Sequence, residues 1–275
     1  MVLVVAVVAV VGATRLLDDD DAHRADPGPV HVHALGLDPT SSSLFIATHT
    51  GLFRLPPDRE RPQRVGDGYQ DTMGFTVVGP DLFLASGHPD ARDDLPPLLG
   101  LLESRDTGET WESVSLLGEV DFHALRVRGG EIVGYDATSG RILISQDGGR
   151  TWSERRPPER LDDLVVHPSS AGVLVASGER RVLVSRNRGT TWTERKRAGG
   201  LLAWPRRDRL YLVDKTGRLW ISPDEGARWQ RRGHIGGGPA ALLAVGAHTL
   251  YVATHDGAIK RSTDGGANWI VRSRP

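Results

Sequence analysis

The chain contains no cysteine, and only three of its 275 residues are lysine. The absence of cysteine excludes disulfide bonds, thiolate metal sites and a cysteine nucleophile, and it leaves the redox compartment undecided. The formal net charge of −1 gives no overall field that would favour nucleic acid or an anionic membrane. Short arginine pairs at 206–207 and 231–232 are therefore interpreted as solvated surface, and we expect no nucleic-acid partner.

Long hydrophobic runs are also missing, apart from residues 1–13 at the start of the chain. This run is shorter than the roughly 20 residues of a membrane-spanning helix, but it has the length of a signal-peptide core, with small residues at 11–13. No basic residue precedes it. We expect an exported protein, extracellular or in the cell envelope, that is membrane-anchored only if residues 1–13 stay uncleaved. Residues 14–29 are charged and rich in proline and glycine, which predicts a disordered linker before a single domain at 30–275.

One pattern, Ser-x-Asp-x-Gly-x-Thr-Trp, organises the rest of the chain. Its best copy is residues 145–152, and four other copies are recognisable with some decay. The closing tryptophans are 41, 40, 37 and 40 residues apart. A fixed period near forty residues, with a strand–turn–strand pattern in each unit, predicts a radial array of small sheets. The other copies are residues 104–111, 185–192, 222–229 and 262–269.

Each copy has the chemistry of a hairpin turn. The Asp carboxylate can accept hydrogen bonds from the turn backbone, the Gly tolerates a positive φ, and the Trp can fill the space beneath the turn. We therefore assign these residues a structural role. They are Asp106, Asp147, Asn187, Asp224 and Asp264, with Trp111, Trp152, Trp192, Trp229 and Trp269.

The repeated motif resembles the Asp-box, or BNR repeat, of sialidases, of sortilin-type receptor domains and of a photosystem II assembly factor. The resemblance covers nearly all of residues 100–272 and implies a β-propeller. It implies little about activity, because the box is a structural turn in all of those families.

The repeat extends upstream to a first unit, at 30–65, in which Pro56-Pro57 replaces the box turn. Six units of four short strands predict an all-β fold, a six-bladed β-propeller, with seven blades as the alternative and no strand swap closing the ring. The second unit is longer because of residues 86–100. Insertions in repeats map to loops, often on the binding face, although a tolerated surface excursion is an equal alternative.

In a propeller blade, the innermost strand lines the central channel. The loop that enters this strand and the loop that joins the second and third strands share one face, here called the top face, while the Asp-box turns lie on the opposite face. Six of the ten histidines align with these top-face positions. They are His31, His33, His49, His88, His123 and His255.

Imidazoles from separate repeats that converge at a channel mouth predict a transition-metal site. Met73 aligns with His33, and a thioether beside imidazoles favours copper, whereas neighbouring carboxylates would suit zinc equally. The alternative is that these polar side chains simply line a wet channel. The predicted ligands of copper or zinc are His31, His33, His49, Met73, His88 and His123.

Three carboxylates on the same face, Asp71, Asp121 and Asp136, are candidate catalytic residues. Glycoside hydrolysis needs two carboxylates that flank the sugar bond, roughly 5–9.5 Å apart. Asp71 stands two residues before Met73, and Asp121 two residues before His123, in consecutive units. This parallel is compatible with a shared catalytic role, and common descent of the repeats is an equal explanation.

A true sialidase is not expected. Sialidases carry a Phe/Tyr-Arg-Ile-Pro motif on an inner strand, and the similar run at 53–56 here belongs to the third strand of its unit. The arginine triad and the Tyr/Glu nucleophile pair of sialidases are also not evident.

The whole chain resembles exported, mostly actinobacterial, Asp-box proteins that are known as glycosylhydrolase-like, through the stretches 31–36, 48–53, 69–75, 87–90 and 121–124. We predict an exported monomeric binding scaffold whose top face takes a glycan, a metal or a protein ligand. The alternatives are a glycoside hydrolase of the sialidase-like clan and a protein-assembly platform.

Overall fold

The computed structural model describes residues 26–196 and 198–274, which form twenty-four β-strands. The strands fall into six sheets of four, numbered here as blades 1 to 6. Blade 1 holds β1 (Val32–Leu37), β2 (Leu44–Thr48), β3 (Gly51–Leu55) and β4 (Gln63–Arg64); blade 2 holds β5 (Asp71–Gly79), β6 (Leu82–His88), β7 (Leu101–Ser104) and β8 (Glu112–Ser115); blade 3 holds β9 (Phe122–Arg128), β10 (Glu131–Asp136), β11 (Arg141–Ser145) and β12 (Ser153–Arg155). Blade 4 holds β13 (Leu161–Val166), β14 (Leu174–Gly178), β15 (Val182–Ser185) and β16 (Thr193–Lys196); blade 5 holds β17 (Gly200–Arg206), β18 (Arg209–Asp214), β19 (Arg218–Ser222) and β20 (Gln230–His234); blade 6 holds β21 (Pro239–Val245), β22 (Thr249–Thr254), β23 (Ile259–Ser262) and β24 (Ile270–Ser273).

The blades form a closed ring. Within each blade, four consecutive strands pair antiparallel in chain order, so each unit supplies its own outer strand. The innermost strand of each blade contacts that of the next, and β21 contacts β1. The predicted six-bladed propeller without a strand swap is confirmed, and the seven-bladed alternative is wrong.

The hydrophobic core lies between the blades. In β2, Leu44 and Ile46 pack towards blade 6, while the alternating Phe45 and Ala47 pack towards blade 2. Successive side chains of a strand point to opposite faces, so a strand between two neighbouring blades must be apolar on both. This explains why the second strands read as continuous apolar runs.

The Asp-box turns behave as the sequence predicts. In the box of blade 3, the Ser145 hydroxyl donates to Asp147 at 2.8 Å and accepts the Gly149 N–H at 2.8 Å. Asp147 also accepts the Thr151 N–H at 2.9 Å and the Thr151 hydroxyl at 2.6 Å. The four other boxes repeat the Ser–Gly bond at the same length of 2.8 Å. Hydrogen bonds within the box therefore stabilise the hairpin turn.

Each box tryptophan seals the contact with the preceding blade. Trp152 of blade 3 packs on the core shared by blades 2 and 3, and its indole N–H donates to the Gly149 carbonyl at 3.0 Å. Equivalent packing occurs at the four other boxes, through Trp111, Trp192, Trp229 and Trp269. The box thus joins neighbouring blades as well as closing its own turn.

Blade 1 has no box, as predicted. The carbonyls of Pro56, Pro57 and Arg59 in its turn accept hydrogen bonds from the Arg272 guanidinium on β24, at 3.4, 3.0 and 3.3 Å. Blade 6 is thereby joined to blade 1 where an Asp-box tryptophan is missing.

The predicted signal-like segment, residues 1–13, lies outside the described residues, as does most of the predicted linker. The last part of the linker, residues 26–29, contacts blade 1. Asp26 accepts a hydrogen bond from Arg64 Nε at 2.8 Å, and the Gly28 carbonyl accepts one from the Thr50 hydroxyl at 2.6 Å. Over the part of the chain that is described, no helix has the length and apolar character needed to cross a membrane.

Candidate functional site on the top face

A central cavity of about 410 Å³ runs between the six innermost strands. Its wall carries His33 of blade 1, Met73 of blade 2 and His123 of blade 3, each near the start of its strand. Three of the predicted metal ligands therefore share one channel, and the others, His31, His49 and His88, lie around its mouth, His88 as the last residue of β6.

His33, His49 and Asp71 form the first cluster of the rim. Their potential ligand atoms all lie within 4.8 Å of one another. His49 Nδ1 is 2.8 Å from one Asp71 oxygen, Oδ2, and His33 Nε2 is 3.2 Å from the other, Oδ1. His33 Nε2 and Asp71 Oδ1 are buried and face each other, and neither forms a well-aligned hydrogen bond with any other described residue. Two imidazoles and a carboxylate thus converge on a point where part of their bonding capacity is unused.

The local backbone explains this convergence. Gly87 has φ +151°, and a Cβ atom there would overlap the Asp71 carbonyl, so only glycine lets β5 and β6 approach this closely. His31 has a positive φ of 51° at the entry to β1, and its ring lies edge-on to His49 with centroids 6.1 Å apart. His49 is held by backbone hydrogen bonds from its N–H to the carbonyls of Val30 and His31, at 3.0 and 3.2 Å.

His88, Asp121 and His123 form the second cluster of the rim. Both His123 Nε2, at 2.8 Å, and His88 Nε2, at 3.5 Å, face the same Asp121 oxygen, Oδ2. The other ring nitrogen of His88 lies 2.8 Å from the Pro97 carbonyl in the long loop. The Asp121 side chain is only 5% exposed, whereas both imidazoles are about 40% exposed. The carboxylate is therefore at the floor of the cluster and the rings are at its mouth.

The two clusters adjoin, because Asp71 of β5 pairs with His88 of β6 across the blade. Burial favours the protonated form of Asp71, but the neighbouring His33, His49 and His88 hold the pKa of this carboxyl below its ordinary value. Asp71 is therefore ionised at neutral pH. An ionised carboxylate suits a metal ligand, a base or a nucleophile, and it does not suit a general acid.

Asp136, the third catalytic candidate, is fully buried in the turn between β10 and β11. Its carboxylate accepts the Thr138 N–H at 3.1 Å, the Ser139 N–H at 3.3 Å and the Ser139 hydroxyl. The carboxylate is thus buried and hydrogen-bonded within its own turn, which separates it from the open rim formed by the two histidine clusters.

Blades 4 and 5 fill the other side of the channel differently. Asp163 of β13 accepts from Arg126 of β9 at 2.7 Å and from the Leu202 N–H of β17 at 2.8 Å. Burial raises the pKa of Asp163, and the Arg126 guanidinium opposes that rise. This ion pair bridges three blades and occupies both charged groups with each other, whereas the imidazoles of blades 1 to 3 face the mouth of the channel.

The sialidase-like arginine, Arg54, lies on β3 and donates to the Ser43 hydroxyl at 3.1 Å, away from the channel. Its position agrees with the expectation that the motif is not a substrate-carboxylate site.

The sequence predicts six histidines on one face, but it does not predict that His33 and His49 group around Asp71 while His88 and His123 group around Asp121. It also missed the Pro97 carbonyl, which orients His88. The pair Gly87-His88 at the start of the insertion was the available signal, because a glycine before a polar strand end indicates close backbone approach.

Comparison with known proteins agrees with this fold. The family model of the BNR/Asp-box repeat matches residues 143–154, the box of blade 3. This chain is a six-bladed β-propeller that contains a BNR/Asp-box repeat. No curated protein matches the Asp-box propeller in sequence.

Solved structures of several proteins share the fold of the Asp-box propeller. They include a GH74 xyloglucanase from Xanthomonas campestris (16% identity, TM-score 0.60, 90% of this chain and 46% of that one) and YCF48 bound to D1 peptide (16%, 0.55, 89% and 83%). A structure of the nidogen/laminin complex is also similar (14%, 0.64, 83% and 91%). The chain spans between 36% and 46% of the length of the GH74 enzymes that it matches. At these identities the likeness concerns the fold alone.

Proposed function

We propose that this Asp-box propeller is an exported binding protein whose top face holds a transition-metal ion through His33, His49 and Asp71. The observation that carries the proposal is the convergence of three potential ligand atoms from two blades within 4.8 Å. Buried polar atoms are normally hydrogen-bonded, whereas the buried His33 Nε2 and Asp71 Oδ1 have only each other, at 3.2 Å, among the described residues. A metal ion bound between the three groups would satisfy both atoms.

The donor set suits zinc or copper. Two imidazoles and one carboxylate leave a position open on a tetrahedral zinc ion, which a water molecule or an external ligand can occupy. Imidazole also suits copper, and the Met73 thioether on the same channel wall is a soft donor that favours it. The open position is the physical basis for binding a ligand at this face.

We propose a protein or peptide as the partner of the top face. His49 and His88 are exposed at the channel mouth, and residues 91–97 of the long loop project beside them. Propellers of similar fold occur in complexes with the D1 peptide and with laminin, which supports a protein ligand. A glycan remains the alternative ligand, and the binding unit is proposed to be a monomer.

The metal proposal is tested on the full chain by inductively coupled plasma mass spectrometry after dialysis against zinc or copper. We expect the double variant His33→Ala/His49→Ala and the single variant Asp71→Asn each to lose one equivalent of metal relative to the wild type. His255→Ala is the matched control, because His255 is an exposed rim histidine outside both clusters of the described residues. Unchanged metal content in the double variant would overturn the proposal.

Glycoside hydrolysis is the second candidate, because the ionised Asp71 and the buried Asp121 open onto the same rim. It is tested by turnover of aryl glycosides. Hydrolysis that is lost in both Asp71→Asn and Asp121→Asn, with thermal unfolding unchanged, would support an enzyme. Absence of turnover in the wild type would leave the binding function, including a role as an assembly platform.

A further inference from the structure

We infer that the rim carries a second metal site, separate from the first, in which His88, Asp121 and His123 hold a divalent transition-metal ion. The proposed first site uses none of these residues. They come from blades 2 and 3, whereas the first cluster joins blades 1 and 2. Three features of the second cluster support the inference.

The first feature is an under-satisfied buried carboxylate. The Asp121 side chain is 5% exposed, and its Oδ1 atom is buried without a hydrogen-bond partner among the described residues. Burying an ionised carboxylate is costly unless cations and hydrogen-bond donors surround it. Among the described residues, the polar atoms that approach Oδ2 are imidazole nitrogens, His123 Nε2 at 2.8 Å and His88 Nε2 at 3.5 Å. A bound cation would compensate this charge.

The second feature is the tautomer of His88. Its Nδ1 lies 2.8 Å from the Pro97 carbonyl, and a carbonyl oxygen only accepts, so Nδ1 carries the proton. In neutral His88 the lone pair on Nε2 therefore faces the Asp121 carboxylate, which is an unfavourable arrangement of two acceptors. A divalent cation between them turns both atoms into ligands. Metal-bound imidazoles commonly donate their second N–H to a backbone carbonyl, as His88 does here.

The third feature is the spacing of the donor atoms. Ligand atoms about 2.0–2.1 Å from a tetrahedral zinc ion lie roughly 3.3 Å from one another. The distances of 2.8 and 3.5 Å from Asp121 Oδ2 to the two imidazoles bracket that value, whereas the two imidazole nitrogens lie more than 4.8 Å from each other. Both rings are about 40% exposed, and rotation of these side chains towards each other is the change that metal binding would require. The exposed mouth leaves a coordination position for water or for a ligand.

The experiment measures metal stoichiometry in the full chain with zinc and, separately, with cobalt(II), whose visible absorption reports coordination by protein ligands. We expect two equivalents in the wild type. The double variant His88→Ala/His123→Ala is expected to retain one equivalent, as is His33→Ala/His49→Ala, and the combination of all four substitutions none. Asp121→Asn keeps the shape of the side chain but removes its charge, and it is also expected to retain one. Thermal unfolding of each variant verifies the fold, and His255→Ala is expected to keep both equivalents.

The outcomes separate the two sites. One equivalent in the wild type that persists in His88→Ala/His123→Ala would overturn the second site and leave the first intact. One equivalent that is lost only in His88→Ala/His123→Ala would support the second site and overturn the first. One equivalent that is lost in either double variant would mean a single shared ion, which contradicts two separate sites.

Discussion

At the scale of single residues, Gly149 of the Asp-box in blade 3 combines a backbone role with a packing role. Gly149 adopts φ +86°, and a Cβ atom there would overlap Leu101 Cδ2 on the third strand of the preceding blade. Leu101 is fully buried and cannot move aside freely. Gly148, its neighbour in the same turn, has φ +74° but faces solvent, and a Cβ atom there would lie 3.5 Å from Arg150. Substitution of Gly148 therefore tests the cost of the backbone conformation alone, whereas substitution of Gly149 adds the cost of overlap with the preceding blade.

We predict that Gly149→Ala lowers the free energy of unfolding by about 2–5 kcal/mol, as the left-handed backbone costs about 1–2 kcal/mol and overpacking about 1–3 kcal/mol. Gly148→Ala is expected to cost only the backbone part. Both are measured by denaturant unfolding. Equal losses in the two variants would show that close contact between the blades does not matter at this turn.

Individual carboxylates show how far the sequence can be used to predict a site. Asp71 and Asp136 both map to the top face, yet only Asp71 opens onto the rim. The run Asp-Ala-Thr-Ser at 136–139 is a sequence that favours an Asx turn, in which the carboxylate binds its own backbone, and this signal indicates a structural use for the Asp136 carboxylate. The convergence of His33 with Asp71 depends on how far one blade is rotated against the next, and no local pattern encodes that angle.

At the scale of secondary-structure elements, apolar alternation predicts strands well and polar strand ends poorly. The third strand of blade 1, Gly51–Leu55, and the first of blade 4, Leu161–Val166, have the bounds that the pattern predicts. The apolar run at the start of blade 2 indicates a strand over residues 73–78, whereas the strand extends over Asp71–Gly79. Its extra start is polar and is held by pairing with Gly87 and His88. The candidate site residues Asp71 and His88 thus lie at strand ends where periodicity gives no signal.

The long loop of blade 2 has an internal clamp. Asp90 is buried and accepts the Tyr69 N–H at 3.0 Å, the Arg92 N–H at 3.0 Å and Arg92 Nε at 2.9 Å. Hydrogen bonds from Arg92 hold the pKa of Asp90 at about 2, so this ion pair is intact at neutral pH. Because the same loop presents the Pro97 carbonyl to His88, the clamp helps to fix the rim.

We predict that Asp90→Ala loosens residues 86–100 selectively. Leaving the Tyr69 amide without its acceptor and breaking the ion pair costs about 1–3 kcal/mol of local stability. Hydrogen–deuterium exchange of peptides from this loop is expected to accelerate, while peptides from blades 4 and 5 stay unchanged. Asp94→Ala is the control, since Asp94 is an exposed residue of the same loop. Equal exchange in the two variants would argue against a clamp.

At the scale of the whole molecule, the ring has five similar interfaces and one that differs. An Asp-box tryptophan packs at each interface between consecutive blades from 1 to 6. Between blades 6 and 1 the core consists of aliphatic side chains with Phe53 and Tyr251 and contains no tryptophan among the described residues, and Arg272 reaches across to the box-free turn of blade 1. Each box tryptophan packs against the preceding blade. Because blade 1 has no box, the interface between blades 6 and 1, here called the seam, has no box tryptophan.

We predict that the seam is the first interface to open. Arg272→Ala removes three partly exposed hydrogen bonds from a charged donor, which together contribute about 1–3 kcal/mol. Hydrogen–deuterium exchange under mildly denaturing conditions is expected to accelerate in blades 6 and 1 and to remain unchanged in blades 3 and 4. Arg274→Ala provides the control, because Arg274 is an exposed arginine two residues away. In a ring, each blade is held by two neighbours, and opening one interface leaves the other five in place. A uniform acceleration in all blades would instead mean that the propeller unfolds as one cooperative unit, with no weakest interface.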